Sequence, residues 1–234
     1  MRRNPRLPKS SVIEDNAEDI ARSIVTKLAG RMTERGLGPS AKISSLMGEG
    51  ESFMVGEPIS YQSSSGVSGV VLFYLSSDSM RDRNVKGGAS SRTVDGGEFS
   101  RIRVYLNRGM RTKELATPEF NEELLKVIVH ELGHVIDKNT RYSGGSRASK
   151  DSGGTDSYIN SRVEIQAEAQ AAYFALKRYA MASKSRIPAR SLEQYVLDYA
   201  PYHLAKRYGR YTEPSKRIFL LYLYNSLNDE GLLS

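Results

Sequence analysis

The sequence contains no cysteine. This absence excludes a disulfide framework and every thiolate metal site, which leaves histidine, aspartate and glutamate as the side chains able to bind a metal ion. Histidine is also scarce, with 3 in 234 residues. No apolar run approaches the roughly 20 residues that span a bilayer, and no apolar segment follows the basic N-terminus as it would in a signal peptide. We therefore expect a cytoplasmic protein with no membrane partner.

The composition is that of a globular protein whose positive charge is unevenly distributed. Hydrophobic residues make up 39% and charged residues 26% of the chain, which excludes collagen, coiled coils and wholesale disorder. Of the net charge of +7, residues 1–10 carry +4 and residues 176–217 carry +7, so the remainder is mildly acidic. A basic region of this kind can bind nucleic acid, an anionic surface or an acidic protein. A solvated helical face is the simpler interpretation, so nucleic acid is not the favoured partner.

The segment 127–136 contains an HExxH motif within an apolar helical pattern. His130 and His134 are four residues apart, so on a helix both imidazoles project from one face toward a single metal ion, with Glu131 beside them. The neighbouring residues are uncharged, as expected for a helix that runs through a core. Zinc activates a bound water and polarises the scissile carbonyl, while a carboxylate takes up the proton. The motif therefore predicts a zinc-dependent peptidase, acting on a protein or peptide, with Glu131 as general base.

A catalytic zinc site takes three protein ligands, so the histidine pair needs one more. The longer HExxHxxGxxH pattern requires glycine and histidine at positions that Asp137 and Thr140 occupy, which argues against that class. An aspartate from the loop at residues 154–158 is one candidate. Glu164 and Glu168, one helical turn apart in an alanine-rich segment, are better candidates because they lie among small apolar residues.

The motif and the segment 163–176 together resemble the glutamate-zincins, including the small bacterial and phage-type members and the ImmA/IrrE-like group. The resemblance implies an α+β, zincin-like fold with a small N-terminal antiparallel sheet, an active-site helix, a third-ligand helix and C-terminal helices. It favours Glu164 over Glu168, which would then accept a hydrogen bond from a ligand histidine. The implied site consists of three Zn²⁺ ligands and a general base, namely His130, His134, Glu164 and Glu131.

The resemblance also implies a strand that holds extended peptide by backbone hydrogen bonds, and the predicted strand 100–107 fits that place. The group that stabilises the oxyanion is not identified by any motif. His203, Tyr142 and Tyr158 are candidates by residue type alone. Asp137, one turn beyond the second motif histidine, either orients that histidine or caps the helix.

Periodicity and turn residues predict the order of helices and strands along the chain. A basic flexible arm over residues 1–10 precedes a single domain over residues 11–234. The tyrosines Tyr195, Tyr199 and Tyr202 are spaced four and three apart and are predicted to face the core. The predicted elements are a helix at 13–36, strands at 66–75 and 100–107 with a polar loop at 78–98 between them, a helix from Thr117 into the motif, a lid or connection at 139–157, a helix at 158–181, and helices over 189–233.

A second function is a metal-stabilised binding or regulatory protein whose basic, tyrosine-rich C-terminal region engages nucleic acid or a protein partner. Glu131 discriminates between the two functions. A structural zinc site closes its fourth coordination position and has no use for a base, whereas hydrolysis requires one. The enzyme is therefore the favoured prediction.

Overall fold

The computed structural model describes residue 7 and residues 11–48, 50–62, 68–80, 84–94, 97–136, 159–200 and 202–234. The chain divides into two units. The sheet unit is Ser10–Ile136, and the helical unit combines Met1–Lys9 with Asp137–Ser234. The expectation of a single domain over residues 11–234 stays a prediction.

Both units contain regular secondary structure, and the sheet unit contains all the described strands. Within the sheet unit they are α1 (Ser11–Glu34), α2 (Ile43–Leu46), β1 (Ser52–Gln62), β2 (Ser68–Asp78), β3 (Val85–Val94), β4 (Gly97–Asn107), a short 3-10 helix (Thr112–Ala116) and α3 (Pro118–Ile136). Within the helical unit they are α4 (Arg162–Ser183), a 3-10 turn (Ala189–Ser191), α5 (Leu192–Tyr199), α6 (Tyr202–Tyr208) and α7 (Glu213–Asp229).

The four strands form one mixed sheet in the order β1-β2-β4-β3. β1 pairs antiparallel with β2, and β3 pairs antiparallel with β4, while β2 and β4 run parallel. Consequently β4 is an inner strand with neighbours on both sides, and β3 is an edge strand.

One face of this sheet forms the core of the sheet unit. Alternate residues of β2 and β4 are buried there because side chains in a strand alternate between the two faces. Helices α1 and α3 contribute an apolar stripe each, including Ile24, Leu28, Leu124 and Ile128, all fully buried. Burial of one such side chain stabilises the fold by about 1.5–3 kcal/mol. The buried strand residues are Val71, Phe73, Leu75, Ile102, Val104 and Leu106.

The helical unit is built on α4, whose many alanines allow close packing. Helix α7 packs against α4, and the Tyr222 hydroxyl donates to Oε1 of Gln166 over 3.1 Å. Leu7, from the N-terminal arm, is buried and its amide donates to Oγ of Ser226 over 3.2 Å. At that position the predicted flexible arm is therefore anchored to α7.

The α+β class and the predicted order of helices are confirmed, but two predictions about the sheet are wrong. The sheet is mixed rather than antiparallel, because β2 and β4 pair in parallel. The predicted loop at 78–98 contains β3, since a glycine- and serine-rich edge strand lacks the apolar alternation that marks a strand in the sequence. The dipeptide Asp95-Gly96 between the register partners Val94 and Gly97 is a hairpin signal that could have revealed this strand.

The prediction of a core-facing tyrosine stripe is also wrong for Tyr195 and Tyr199, while the side chain of Tyr202 lies outside the described part of the chain. In α5 the buried face is formed by Leu192 and Val196, whereas Tyr199 is 46% exposed. The ring centroids of Tyr179 and Tyr199 are 4.1 Å apart, and Tyr195 lies 5.1 Å from Tyr199. These tyrosines therefore cluster at the surface of the helical unit, where a partial exposure leaves each hydroxyl in reach of water.

None of the described helices is both long enough and apolar enough to cross a lipid bilayer. The predicted lid or connection at residues 139–157 lies outside the described residues.

Candidate metal centre

Helix α3 carries the HExxH motif through the core of the sheet unit. Thr117 caps the helix, since its hydroxyl accepts from the amide of Phe120 over 3.2 Å, and Pro118 occupies the first helical position. The three motif side chains are buried although they are polar, with exposures of 8% for His130, 7% for Glu131 and 5% for His134. Burial of polar groups is costly unless they have partners. The fold therefore places three polar side chains of one helical turn together inside an apolar core.

The two motif histidines converge on one point. Nε2 of His130 lies 3.0 Å from Nε2 of His134, with the ring planes at 87° and the centroids 4.6 Å apart. Two nitrogens bound to one tetrahedral zinc at about 2.0–2.1 Å would be about 3.4 Å apart. The pair therefore fits a shared metal ion after a small opening.

The Glu131 side chain lies directly on the backbone of β3 at Gly87. A Cβ atom at Gly87 would come within 2.5 Å of both Cγ and Oε1 of Glu131. Only glycine leaves space for the carboxylate at this position. At the next residue, Gly88, the nearest atom to such a Cβ is Cε2 of Tyr105 at 4.0 Å. The close approach is thus specific to Gly87.

Alternate residues of β3, including Gly87 next to Glu131, direct their backbone amide and carbonyl groups toward the open edge of the sheet. The amide of Val85 donates to Oε1 of Glu123 in α3 over 3.1 Å, and the carbonyl of Asn84 accepts from the amide of Asn107 over 2.8 Å. In an antiparallel pair this pattern places the amide and carbonyl of Val85 on the side away from β4. By the two-residue alternation the same groups of Gly87 and Ala89 have that orientation, and no described strand pairs with them.

The two candidate third ligands lie one turn apart on α4 in the helical unit. Ser161 caps this helix, accepting from the amide of Glu164 over 3.4 Å. Glu164 is 1% exposed and Glu168 is fully buried. Arg207 of α6 reaches both: its Nη1 lies 3.3 Å from Oε2 of Glu164 and also donates to Oε1 of Glu168. Two carboxylates that would repel each other therefore share one guanidinium.

Tyr211 adds to the electrostatics around these glutamates. Burial raises its pKa far above the usual range, and the charges of Glu168 and Glu164 raise that pKa further against the opposing effect of Arg207. The phenol therefore stays protonated at every ordinary pH and can donate a hydrogen bond.

The remaining candidates from the sequence are Asp137, Tyr142, Asp156, Tyr158 and His203. Residues 137, 142, 156 and 158 lie outside the described residues. His203 lies in α6, one turn before Arg207, and its side chain is outside the described part of the chain.

The sequence did not reveal Gly87 or Arg207. A glycine in a polar stretch carries no signal of what lies on it. Arg207 is one of ten basic residues between 176 and 217, and only its contacts with Glu164 and Glu168 distinguish it.

Comparisons with family models, with curated proteins and with solved structures find no match to this chain.

Proposed function

We propose that this protein is a zinc-dependent peptidase in which His130, His134 and Glu164 hold the metal ion and Glu131 is the general base. One observation carries the proposal: two buried imidazole nitrogens, 3.0 Å apart, point at a common position in a helix whose next side chain is a buried carboxylate. The 3.0 Å separation by itself also fits an N–H···N hydrogen bond between two neutral imidazoles. The adjacent carboxylate makes the difference, since neither a hydrogen-bonded histidine pair nor a structural metal site has a use for it.

The zinc ion, when bound, activates a water molecule and polarises the scissile carbonyl. The residues of the chain provide the remaining parts of the reaction. Glu131 takes a proton from the attacking water and delivers it to the leaving nitrogen. Because its side chain lies between α3 and the backbone of Gly87, the carboxylate has few orientations available. This restriction favours proton transfer by keeping the base aimed at one place.

Glu164 is the proposed third ligand because its carboxylate is buried and lies in the first turn of α4, the helix that follows the motif in the sequence. Its partner Arg207 offsets part of the cost of burying two adjacent carboxylates, and a divalent cation would offset the rest. Glu168 would then support the site rather than bind the ion directly, held by the same guanidinium.

The substrate is proposed to be an extended peptide that pairs with the open edge of β3. The expectation that 100–107 holds the substrate is wrong, since that strand, β4, is paired on both sides. At Gly87 and Ala89, β3 directs its amide and carbonyl groups away from β4 toward the open edge. Gly87 also lies against the proposed base, Glu131. Strand addition at a free edge uses these groups. The zincin-like arrangement of edge strand, active-site helix and third-ligand helix is part of this proposal.

The experiment that tests the proposal is metal removal and restoration. The purified chain is assayed on a defined peptide library, then dialysed against a strong chelator, and zinc content is measured by mass spectrometry. We expect about one zinc per chain, loss of cleavage with loss of metal, and recovery on adding one equivalent of zinc but not magnesium. Cleavage that continues without metal would contradict the proposal. A chain that binds zinc but cleaves nothing in the library would favour the metal-stabilised binding protein.

A further inference from the structure

The face of the sheet opposite to α1 and α3 carries an unusual set of side chains. Residues of β2, β3 and β4 that alternate with the buried ones point to this outer face. The register aligns them in rows, since Tyr105 is opposite Lys86 and Arg103 is opposite Tyr74. We use the name outer sheet face for seven residues, which are Lys86, Arg92, Arg101 and Arg103 together with Tyr74, Phe99 and Tyr105.

The four cations of the outer sheet face are solvent-exposed. Among the described residues of β2, β3 and β4 that point to this face, Asp78 is the one acidic side chain, and it lies 3.8 Å from Nζ of Lys86. The three arginines have no carboxylate partner at salt-bridge distance among the described residues. The face therefore presents a concentrated positive charge with little compensation, although the rest of the chain outside residues 1–10 and 176–217 is mildly acidic.

The aromatic rings of the outer sheet face are half-buried and lie beneath the cations. The guanidinium carbon of Arg101 is 5.4 Å from the ring centroid of Phe99 and 5.9 Å from that of Tyr74. Arg103 and Lys86 lie 5.9 and 5.5 Å from the ring of Tyr105. These contacts hold the cations in place over flat π surfaces. Met54 on β1, the register partner of Tyr74, adds an apolar side chain beside these rings, with 43% exposure.

We infer that the outer sheet face binds single-stranded nucleic acid. Phosphates match the four cations, and unpaired bases match the exposed parts of the three rings, since base stacking on aromatic and guanidinium planes is independent of sequence. A duplex has its bases stacked internally and offers phosphates only. An acidic peptide also satisfies the charge, but it gives the rings nothing to stack on. The rings extend along β4 from residue 99 to residue 105, about 20 Å at about 3.4 Å per residue, so the face has room for several nucleotides.

This inference is independent of the proposed peptidase activity, because the outer sheet face is on the opposite side of the sheet from Glu131. It also differs from the expectation that the C-terminal region carries any contact with nucleic acid. The two surfaces can be separated by substitution.

The test is a binding measurement with the full chain and fluorescein-labelled 20-nucleotide probes of mixed sequence, as single-stranded RNA, single-stranded DNA and duplex DNA, with polyglutamate as a competitor. Three double variants are compared with wild type. The first, Arg101→Gln with Arg103→Gln, removes charge from the outer sheet face. The second, Tyr74→Leu with Tyr105→Leu, removes rings but retains charge and apolar bulk. The control, Arg186→Gln with Arg190→Gln, removes two exposed cations from the helical unit.

We expect wild type to prefer single strands over duplex. The arginine pair should weaken single-strand binding and reduce the slope of log affinity against log salt by about 1.4, at about 0.7 per neutralised phosphate. The tyrosine pair should weaken binding by about tenfold or more without changing that slope. The control pair should change neither quantity beyond a small general charge effect.

Several results would overturn the inference. Absence of binding, a preference for duplex, effective competition by polyglutamate, or equal losses in the arginine and control pairs would each exclude a specific single-strand surface. If the tyrosine double variant binds like wild type, the rings do not contribute and the face is only an unspecific positive surface. Thermal unfolding of every variant shows whether a loss of binding is due to misfolding.

Discussion

At Gly87, the addition of one methyl group is expected to impair the proposed reaction without destabilising the fold. Its Cβ would collide with the flexible end of Glu131 rather than with backbone, so the carboxylate would move aside while the fold persists. We expect Gly87→Ala to keep the unfolding temperature and zinc content of wild type but to lose about 100-fold in kcat, the scale of a displacement near 1 Å in an active site.

Gly88→Ala is the matched control for this prediction. The substitution is the same, in the same strand, one residue away, and its Cβ meets nothing closer than 4.0 Å. Full activity in both variants would mean that Glu131 does not act from the position next to Gly87. Equal losses would assign the effect to the strand rather than to the base.

Substitution of Glu164 and of Glu168 tests which of the two carboxylates binds the metal ion. Both are buried and both contact Arg207, so simple removal of charge affects the two sites alike. We expect Glu164→Ala to lower zinc affinity far more than Glu168→Ala, because loss of a ligand exceeds the 10–100-fold typical of a supporting group. Zinc stoichiometry after dialysis of both variants measures this. The reverse ranking would make Glu168 the ligand, and retention of zinc by both would point to residues 154–158.

At the scale of single residues, the sequence predicts the motif side chains because their types and spacing match what metal coordination requires, and the structure places the two histidine rings together. The cap at Thr117 was equally visible, since one hydroxyl and one proline define it locally. Gly87 and Arg207 were not visible, because their roles depend on what packs against them from another element. Such contacts are properties of the fold and leave no trace in local spacing.

At the scale of elements, β3 is where sequence analysis and structure differ most. Six of the ten residues 85–94 are glycine, serine or charged. This composition suits a strand with one open edge and one face covered by α3, and the regular apolar alternation of a central strand is missing. The predicted strand at 100–107 was correct as a strand, but its place in the sheet depends on β3. Without β3, β4 looks like an edge, so the sequence places the expected substrate-holding role on a strand that is paired on both sides.

The open edge of β3 gives a prediction of its own. The amide of Ala89 points away from β4, so proline there removes an outward donor and no ladder hydrogen bond, which an edge strand tolerates. We expect Ala89→Pro to raise KM about fivefold, the value of one net hydrogen bond, with little change in kcat. Ala89→Ser, which retains the amide, should behave as wild type.

Steady-state kinetics on one cleaved peptide, together with thermal unfolding, checks this prediction. An unchanged KM in a folded Ala89→Pro variant would mean that substrate does not pair with this edge. If Ala89→Ser raises KM to the same extent, the effect comes from the side chain and not from the loss of the amide.

At the scale of the whole molecule, the segments with most of the positive charge are not the segment that contains the HExxH motif. The motif lies in the mildly acidic part of the chain, whereas most of the net charge of +7 resides in residues 1–10 and 176–217. Composition alone suggested that nucleic acid, if bound, would meet the C-terminal region. Along the sequence, the cations of the outer sheet face belong to the mildly acidic remainder, and only the strand register brings them together on one surface.

The most direct test of the central claim compares wild type with Glu131→Gln at equal zinc content. The amide retains the size of the carboxylate and leaves the ligands intact, but it cannot accept a proton. A proteome-wide profile of cleavage sites is recorded for both proteins, with kcat/KM measured on the best peptide found. The account predicts equal metal binding and stability, a defined set of cleaved peptides for wild type, and a loss of about 100-fold or more for Glu131→Gln, given that general base catalysis contributes about 10²–10⁴-fold. If Glu131→Gln with full zinc cleaves as fast as wild type, the peptidase mechanism is wrong.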